Sequence, residues 1–408
     1  MSVLDAHVLR VPRSGARRPL VCGWELSSFS SLGVYGLNLA LSLANHPDYA
    51  LLTAQPIRHE AVVLDPLGQR ALLPMTAASQ ALWNVMGAAP DREIALDAPV
   101  LLALGQEFSA APVVHGRWPE GDPTIGMVFL ERAGLSPVAR QRAARLALIV
   151  AASSWNESVL RADGLTAVTT VLQGIDTSLF HPAPRAGRFP GRFVVFSGGD
   201  LDFRTGQDLV LAAFRIFRQR HPQALLLAAW PSSRAGFAST FDGTALAPMA
   251  IRPDGVPDVV AWAVANGIPP DAVITLEATP DIAMPHVLRE VDVAVFPNRC
   301  EGGTNPVAMG CLACGIPTIL SDNTGHRDLL VHDIAVRLHR QSAVRRAGVD
   351  TLDWGESDVE EIVEQLEAAW RDRSAAAAVG ARAAAFMPQM DWRIQVGRLL
   401  RAIEPLLQ

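Results

Sequence analysis

The segment 296–317 carries the strongest chemical pattern in the chain. A buried strand is predicted to end at Phe296, a polar loop rich in glycine follows, and a helix of small residues leads to Gly315. This order exposes Glu301 beside backbone N–H groups at the N-terminus of a helix, which suits a polyhydroxylated, anionic ligand. Those N–H groups belong to Gly302, Gly303, Thr304 and Asn305. A structural loop with a solvated glutamate is the alternative.

A second candidate follows another predicted strand, at residues 197–206. Gly198, Gly199 and Arg204 stand at the carboxyl end of that strand, where open α/β sheets bind ligands. The chain contains no lysine, so a phosphate group must be held by arginine, by backbone N–H groups or by a helix N-terminus. Arg204 is therefore a candidate phosphate partner.

Weaker candidates lie in the first half of the chain. Gly33 stands in a glycine-containing turn, 31–36, between the first predicted strand and a helix, where it either lets a ligand approach the backbone or serves a tight turn. His115 and Glu131 lie near strand ends as candidate cleft residues, although a single histidine there is more often structural. Cys311 and Cys314 have no second cysteine pair and are interpreted as packing residues, not zinc ligands.

Alternating strands and helices must position these residues. Short apolar segments predict six strands in the first half and five in the second, and helices are predicted between or after them, as at 207–218 and 359–371. Such alternation indicates two doubly wound, Rossmann-like α/β domains with parallel sheets. We predict an N-terminal domain over 1–184, a C-terminal domain over 185–387, and a last helix at 388–408 that packs back toward the N-terminal domain.

Composition narrows the class of protein. The 408 residues include 50% hydrophobic and 19% charged residues, which favours a well-buried interior and excludes disorder. The net charge of −6, without a basic run, argues against a nucleic-acid partner. Four cysteines, no predicted signal peptide and no long apolar segment lead us to expect a cytoplasmic protein.

Several blocks together resemble the retaining glycosyltransferases of family 4, which have the two-domain GT-B fold. The blocks that carry this resemblance are 33–36, 152–156, 173–182, 203–208 and 301–317. The resemblance implies a nucleoside-diphosphate sugar in a cleft between the domains, held mainly by the C-terminal nucleotide-sugar domain, with its diphosphate near Arg204 and the Gly33 turn. Gly199 and Thr205 are further donor-binding candidates. The resemblance also implies sugar hydroxyls near Glu301 and residues 302–305, and transfer with retention and without a metal or other cofactor. Catalysis would then rest on positive and N–H groups that stabilise the departing diphosphate.

Three positions depart from the family pattern. The family usually has a second glutamate where Gly310 stands, a lysine where Thr205 stands, and often an arginine at the position of Gly198 and Gly199. These losses leave open a catalytically weakened or inactive scaffold that acts as a binding or partner subunit. An epimerase or phosphorylase is disfavoured because no lysine is present for a cofactor Schiff base.

A bound metal ion and the acceptor are each open to more than one interpretation. Asp200 and Asp202 form a D-x-D pair of the type that holds a metal pyrophosphate, but carboxylates in such a turn are more often solvated or capping groups. The acceptor is not identified and includes glycan, lipid-linked and protein classes. Leu82, Trp83 and Met86 are interpreted as core residues, with peripheral contact to the inner face of a membrane as the alternative. The oligomeric state is not predicted.

Overall fold

The computed structural model describes residues 8–12, 15–88, 94–110, 118–231, 235–346 and 351–407. The chain divides into two compact units. The first unit comprises Met1–Asp176, Pro280–Ile282 and Met390–Gln408, and the second comprises Thr177–Thr279 and Ala283–Gln389. Among the described residues, no helix has the length and apolar character needed to cross a membrane.

The first unit is built on a parallel sheet. Its strands are β1 Val8–Leu9, β2 Arg18–Cys22, β3 Tyr49–Thr53, β4 Ala95–Leu96, β5 Val100–Leu104, β6 Thr124–Val128, β7 Leu148–Ala151 and β8 Val168–Thr170. Its first helices are α1 Ser31–Leu43, α2 Pro66–Gly87, α3 Pro137–Ala143 and α4 Ser154–Ala162. The main sheet has six strands in the order β3-β2-β5-β6-β7-β8, all parallel. Its strands are almost continuously apolar because both faces are buried.

The second unit repeats this architecture. Its strands are β9 Phe193–Gly198, β10 Ala224–Ala229, β11 Val273–Thr275, β12 Val293–Phe296, β13 Thr318–Ser321, β14 Val336–Leu338, β15 Gln341–Ala343 and β16 Gly355–Ser357. Its helices are α5 Gln207–Arg220, α6 Val259–Ala265, α7 Met284–Leu288, α8 Pro306–Ala313, α9 Val359–Arg371 and α10 Arg373–Phe386. The chain then returns to the first unit, where α11 Trp392–Ile403 packs its Trp392 ring edge-on against Tyr35 at 4.9 Å.

Strand order in the second sheet creates a topological switch point. The order is β11-β10-β9-β12-β13-β14, and every neighbouring pair is parallel. The chain moves outward from β9 to β11 and then returns to place β12 on the other side of β9. In open parallel sheets, ligands bind in the crevice outside the carboxyl ends of two such strands. The loops after β9 and β12 are therefore the expected binding loops of this unit.

The structure confirms the predicted α/β class and corrects some local details. Each strand predicted in the second half is present, and the sheet gains β14 as a sixth strand. The prediction that 31–36 is a turn before a helix is wrong, because these residues form the first turns of α1. The helix starts this early because Ser30 caps it by accepting a hydrogen bond from the Gly33 N–H. Leu82 and Met86 are fully buried in the core, as predicted.

Candidate functional site

Two loops meet at the switch point of the second unit. The arginine loop, residues 199–206, follows β9, and the glutamate loop, residues 297–305, follows β12. Strands β9 and β12 are direct neighbours, with Val293 opposite Val195 and Ala294 opposite Phe196. Sheet pairing therefore brings together two loops that lie about a hundred residues apart in the chain.

The loops bring Arg204 and Glu301 face to face. One guanidinium nitrogen of Arg204 lies 3.6 Å from a carboxylate oxygen of Glu301, and the two side chains are 14% and 15% exposed. The same nitrogen, Nη1, donates to the Cys300 carbonyl at 2.9 Å. The Arg204 backbone N–H donates to Asp202 Oδ1 at 3.1 Å. This arrangement presents a cation and a carboxylate side by side, at a distance longer than a direct hydrogen bond.

Neighbouring groups hold the Glu301 side chain and backbone in place. Its carboxylate accepts hydrogen bonds from Asn298 Nδ2 at 2.9 Å and from the Gly303 N–H at 3.3 Å. Its backbone N–H donates to Thr324 Oγ1 at 2.7 Å, and its carbonyl accepts from the Gly325 N–H at 2.9 Å. A side chain that is fixed on both oxygens and on its backbone loses little further freedom when a ligand binds.

The rest of the glutamate loop is buried and supports α8. Asn305 has a backbone φ of 54° and caps the helix, since its Oδ1 accepts a hydrogen bond from the Ala308 N–H at 3.1 Å. The hydroxyl of Thr304 donates to Met309 Sδ at 3.1 Å. Gly302 and Gly303 are likewise buried. The structure thus places the Asn305 and Thr304 side chains as supports of the loop, beneath Glu301.

A directed chain of hydrogen bonds runs under the loop through His326. Asn305 Nδ2 donates to His326 Nε2 at 3.0 Å, so the ring proton must lie on Nδ1. That Nδ1–H donates to Ser321 Oγ at 2.9 Å, and the Ser321 hydroxyl donates to the Asn298 carbonyl at 2.7 Å. Burial, with a smaller contribution from the Arg204 charge, lowers the pKa of His326 to about 3. The imidazole is therefore neutral and links the cap of α8 to the residue that holds Glu301.

Arg299 ties the two loops together and was not identified from the sequence. It is 1% exposed and makes a bidentate pair with Asp208 at 2.8 and 2.7 Å, while its Nε donates to Glu356 at 2.6 Å. Its guanidinium also lies 3.7 Å above the Phe203 ring. Burial opposes the charge, but Asp208 and Glu356 outweigh it and raise the pKa of Arg299. The available signal was an arginine between a buried strand and Glu301.

Thr205 and Gly206 shape the arginine loop. Thr205 is buried, and its hydroxyl lies 2.8 Å from the Asp200 carbonyl, 2.7 Å from the Asp202 carbonyl and 2.6 Å from Gln207 Oε1. Gly206 has a φ of 75°, and any side chain there would collide with the Pro297 carbonyl of the other loop. The structure thus gives Thr205 a role within the loop and makes Gly206 the point of closest approach between the two loops.

Open space adjoins one further predicted residue, Gly199. No atom lies within 4 Å of the position that a side chain would take there, and its φ is 120°. Asp202 caps the short 3-10 helix Phe203–Thr205 by accepting from the Arg204 N–H. Within the described part of the chain, no group of three or more His, Cys, Asp or Glu residues is arranged to hold a metal ion.

Gly310 lies in α8 against the aromatic ring of Phe180. A Cβ at this position would lie 3.0 Å and 3.2 Å from two ring carbons of Phe180 and 3.4 Å from Leu288 Cδ1. Phe180 is itself 4% exposed, so the space beside Gly310 is filled by an apolar ring. The carboxylate that family 4 usually carries here is thus absent, and no cavity is left in its place.

The cysteines of this unit are buried. Cys300, Cys311 and Cys314 are all free thiols. Burial raises the pKa of Cys311 well above its usual value and that of Cys314 to about 11. Such thiols remain protonated near neutral pH and contribute packing, in line with the interpretation of the Cys-x-x-Cys pair.

The remaining candidate residues, Gly33, Glu131 and His115, belong to the first unit. The N–H of Gly33 donates to Ser30 Oγ at 3.2 Å, within the first turn of α1. Glu131 is exposed after β6, and its N–H donates to Gln106 Oε1 at 3.1 Å. His115 lies outside the described residues.

Comparison with known proteins finds a family match in the C-terminal part of the chain. A model of the family 4 glycosyltransferases in conflict systems matches residues 277–399. The matched segment includes the glutamate loop, Gly310 and His326. No curated protein matches the sequence significantly. The match confirms the resemblance to family 4 and the prediction of a glycosyltransferase.

Solved structures establish the fold over nearly the whole chain. Sucrose-phosphate synthase from Thermosynechococcus elongatus has a TM-score of 0.62 at 14% identity, with 96% of this chain and 99% of that chain covered. HepE from Anabaena in complex with UDP-glucose has a TM-score of 0.60 at 13% identity, covering 95% and 99% of the two chains. A glycosyltransferase from Rickettsia africae has a TM-score of 0.60 at 9% identity, covering 96% and 99%. The chain therefore has the GT-B fold that the sequence predicted.

Proposed function

We propose that this GT-B glycosyltransferase transfers a sugar from a nucleoside-diphosphate donor to a hydroxylated acceptor, with retention of configuration and without a metal ion. The observation that carries the proposal is the Arg204–Glu301 arrangement at the switch point of the second sheet. Such a crevice is where open parallel sheets bind nucleotides. The pair offers one group for the charged end of the donor and one for its hydroxyls.

Arg204 acts on the leaving group in this proposal. When the bond between the sugar and the diphosphate breaks, negative charge accumulates on the diphosphate oxygens. A guanidinium has five N–H donors in a planar fork that matches the oxygens of a diphosphate, and Arg204 lies beside Glu301 at the switch point. A cation placed in advance stabilises that charge without reorganisation during the reaction, which is the largest usual source of catalysis. No resident cofactor is then needed, since the nucleotide sugar is a co-substrate.

Glu301 orients the donor sugar. A carboxylate accepts two hydroxyl hydrogen bonds readily, and the fixed position of Glu301 defines which hydroxyls it meets. Asn298 and Gly303 hold its two oxygens, so the carboxylate is preorganised before the sugar arrives. Gly199, with open space beside it, gives the diphosphate room to approach the backbone.

A uridine nucleotide is the first donor to test. The solved HepE of the same fold was obtained with UDP and with UDP-glucose, and we extend that nucleotide class to this chain as part of the proposal. Gly310 offers no carboxylate, so we expect the nucleotide to be held more weakly than in a chain with both glutamates. The acceptor class, whether glycan, lipid-linked or protein, and location in the cytoplasm or at its membrane face stay predictions.

A non-catalytic binding subunit is the second candidate. Two observations favour it, namely the apolar ring beside Gly310 and the buried Thr205 where family 4 favours a lysine. This candidate predicts a folded protein that binds an acceptor or partner but turns over no nucleotide sugar. The ordered hydrogen bonds around Glu301 favour the enzyme, because a scaffold without turnover gains nothing from holding that carboxylate.

Donor binding and turnover together distinguish the two candidates. Thermal unfolding with UDP, GDP and ADP, each with and without EDTA, measures binding because a ligand specific to the folded state raises the melting temperature. Release of UDP from UDP-glucose, with and without added acceptors, then measures turnover. The enzyme predicts a nucleotide shift that EDTA does not change, and turnover that Arg204→Ala and Glu301→Gln remove. The exposed residues Arg252 and Glu277 supply matched controls, Arg252→Ala and Glu277→Gln. Full turnover in both site variants would refute the proposal.

A further inference from the structure

The second unit contains a cavity of about 400 Å³ at the edge of its sheet opposite the Arg204–Glu301 site. Its lining includes Val291 and Asp292, directly before β12, and Ile316 and Pro317, directly before β13. The cavity therefore adjoins the amino ends of the strands, whereas the arginine and glutamate loops follow their carboxyl ends. A strand the length of β9 separates the two edges by roughly 20 Å. The cavity is thus distinct from the proposed donor site.

The charges that line this cavity are mainly positive. Three arginines, Arg185, Arg289 and Arg373, face one carboxylate, Asp292, so the lining carries three positive charges and one negative charge. Cys314 also lines the cavity, and burial raises its thiol pKa to about 11, which keeps it uncharged. A concave, partly enclosed site concentrates this positive potential and favours an anion.

The single carboxylate is already saturated by its neighbours. Asp292 Oδ1 accepts hydrogen bonds from Arg185 at 3.0 Å and from Arg373 at 3.3 Å. Its Oδ2 accepts a hydrogen bond from the Val194 N–H at 2.7 Å. The nearby carboxylate of Glu290 is likewise bound, by the backbone N–H groups of residues 186–188, and does not line the cavity. No acidic group of the lining thus remains for the third arginine.

Arg289 is that third arginine, and its own contacts are weak. Nη2 lies 3.4 Å from the Leu179 carbonyl, the His181 carbonyl and His181 Nε2. Its Nε is buried and has no hydrogen-bond partner. Within the described residues, no carboxylate lies within the 4.0 Å of an ion pair with Arg289. A buried guanidinium nitrogen without a partner carries an energetic penalty that a bound anion would relieve.

Helix α10 contributes further favourable potential. Arg373, Ala376 and Ala377, near the start of this helix, line the cavity, and the N-terminus of a helix carries partial positive charge. Asp372 caps this terminus by accepting from the Ala375 N–H at 2.8 Å. The small alanine side chains leave room for a ligand beside the arginines. The helix thus supports the arginines and is not the main carrier of the site.

We infer that this arginine cavity binds a small phosphorylated molecule, with Arg289 as its principal contact. A phosphate or diphosphate group offers the several acceptor oxygens that a guanidinium recognises. The volume suits a whole sugar phosphate or nucleotide, and none of the large exposed apolar side chains of the described chain lines the cavity. These features favour a free metabolite over the headgroup of a membrane lipid. This inference does not depend on the proposed transferase activity.

Titration calorimetry with inorganic pyrophosphate tests the inference on the full chain. An Arg204→Ala background removes the proposed diphosphate contact at the donor site, so the remaining binding reports on the cavity. In that background we expect Arg289→Gln to weaken pyrophosphate binding by about tenfold or more, because a charge-assisted contact is lost. Equal binding with and without Arg289, or no binding in the Arg204→Ala chain, would overturn the inference.

A second pair of variants keeps all three arginines. Ala376→Phe fills the cavity, whereas Ala378→Phe places the same side chain on an exposed position of α10 that does not line it. We expect only Ala376→Phe to weaken pyrophosphate binding, and equal effects of the two would contradict a site in the cavity. Sedimentation with vesicles of phosphatidylcholine and phosphatidic acid tests the lipid source. If the chain binds these vesicles through Arg289 but does not bind pyrophosphate, the ligand is a lipid headgroup and our assignment of a free metabolite is refuted.

Discussion

Two arginine–carboxylate pairs lie at the switch point of the second sheet, Arg204–Glu301 between the two loops and Arg299–Asp208 between the glutamate loop and α5, and they differ in burial and in geometry. Arg299 and Asp208 are 2% and 5% exposed and meet in a bidentate pair at 2.7 and 2.8 Å. Arg204 and Glu301 are 14% and 15% exposed and lie 3.6 Å apart. The first pair fixes the loops to the helix behind them. We call Arg299–Asp208 the buried pair and Arg204–Glu301 the open pair. Neighbouring groups hold the two side chains of the open pair at a distance that a ligand can use.

The buried pair should dominate stability. Arg299→Gln leaves the Asp208 carboxylate buried beside a neutral group, and removal of one partner of a buried ion pair costs about 3–5 kcal/mol. We expect the free energy of unfolding to fall by that amount in urea denaturation. The double variant Arg299→Gln/Asp208→Asn should lose less than the sum of the single losses, because no fully buried charge is left unpaired and the other partner of Arg299, Glu356, is 38% exposed. Additive losses would contradict the coupling.

The open pair should dominate turnover instead. On the proposed function, Arg204→Ala removes a preorganised charge from the leaving diphosphate, so we expect kcat to fall by about 10²–10³-fold. This pair is longer and less buried than Arg299–Asp208, so the free energy of unfolding should fall by less than in the Arg299 variant. Steady-state kinetics and urea denaturation on the same preparations check this contrast. If Arg204→Ala lowers the free energy of unfolding as much as Arg299→Gln does, both pairs have a structural role and the contrast between them is wrong.

The buried His326, beneath the glutamate loop, should make the stability of the protein sensitive to acid. Its pKa is about 3 in the folded state and about 6.5 when unfolded, so the unfolded chain binds the proton more readily. The stability that neutral His326 contributes is fully present above the unfolded pKa and is lost as the pH falls from about 6.5 toward 3. Between pH 7 and pH 4 the loss is at most about 3 kcal/mol from this group, by the linkage relation.

Replacement of His326 provides the measurement. His326→Gln cannot take up a proton, so its free energy of unfolding should fall less steeply between pH 7 and pH 4 than that of the parent chain. His332, at an exposed position outside the network, gives the matched control His332→Gln, which should keep the parental slope. An unchanged slope in His326→Gln would show that the buried imidazole is not the acid-sensitive group.

Sequence pattern predicted the α/β fold and singled out Arg204 and Glu301 as separate candidates for a physical reason. Apolar strands buried on both faces and helices between them are local signals, and each candidate side chain followed a predicted strand end. The burial of Arg299, the tautomer of His326 and the contacts of Thr205 depend on neighbours distant in sequence, such as Asp208 and Asn305. Local periodicity carries no information about those pairings. The short strands β14 to β16 were missed because each contains a charged or amide side chain that interrupts the apolar pattern.

The smallest effect concerns Gly310, which separates this chain from the usual family pattern. Gly310→Ala improves helix propensity by up to about 1 kcal/mol, yet its Cβ would lie 3.0 Å from the Phe180 ring. Overpacking of a tight interior costs about 1–3 kcal/mol, and both Phe180 and α8 are buried, so we expect a net loss of about 1 kcal/mol in urea denaturation. In the double variant Gly310→Ala/Phe180→Leu, the smaller side chain should relieve the clash, so that the gain in helix propensity again raises the free energy of unfolding. Stabilisation by Gly310→Ala alone would mean that the Phe180 ring yields easily to a methyl group at this position.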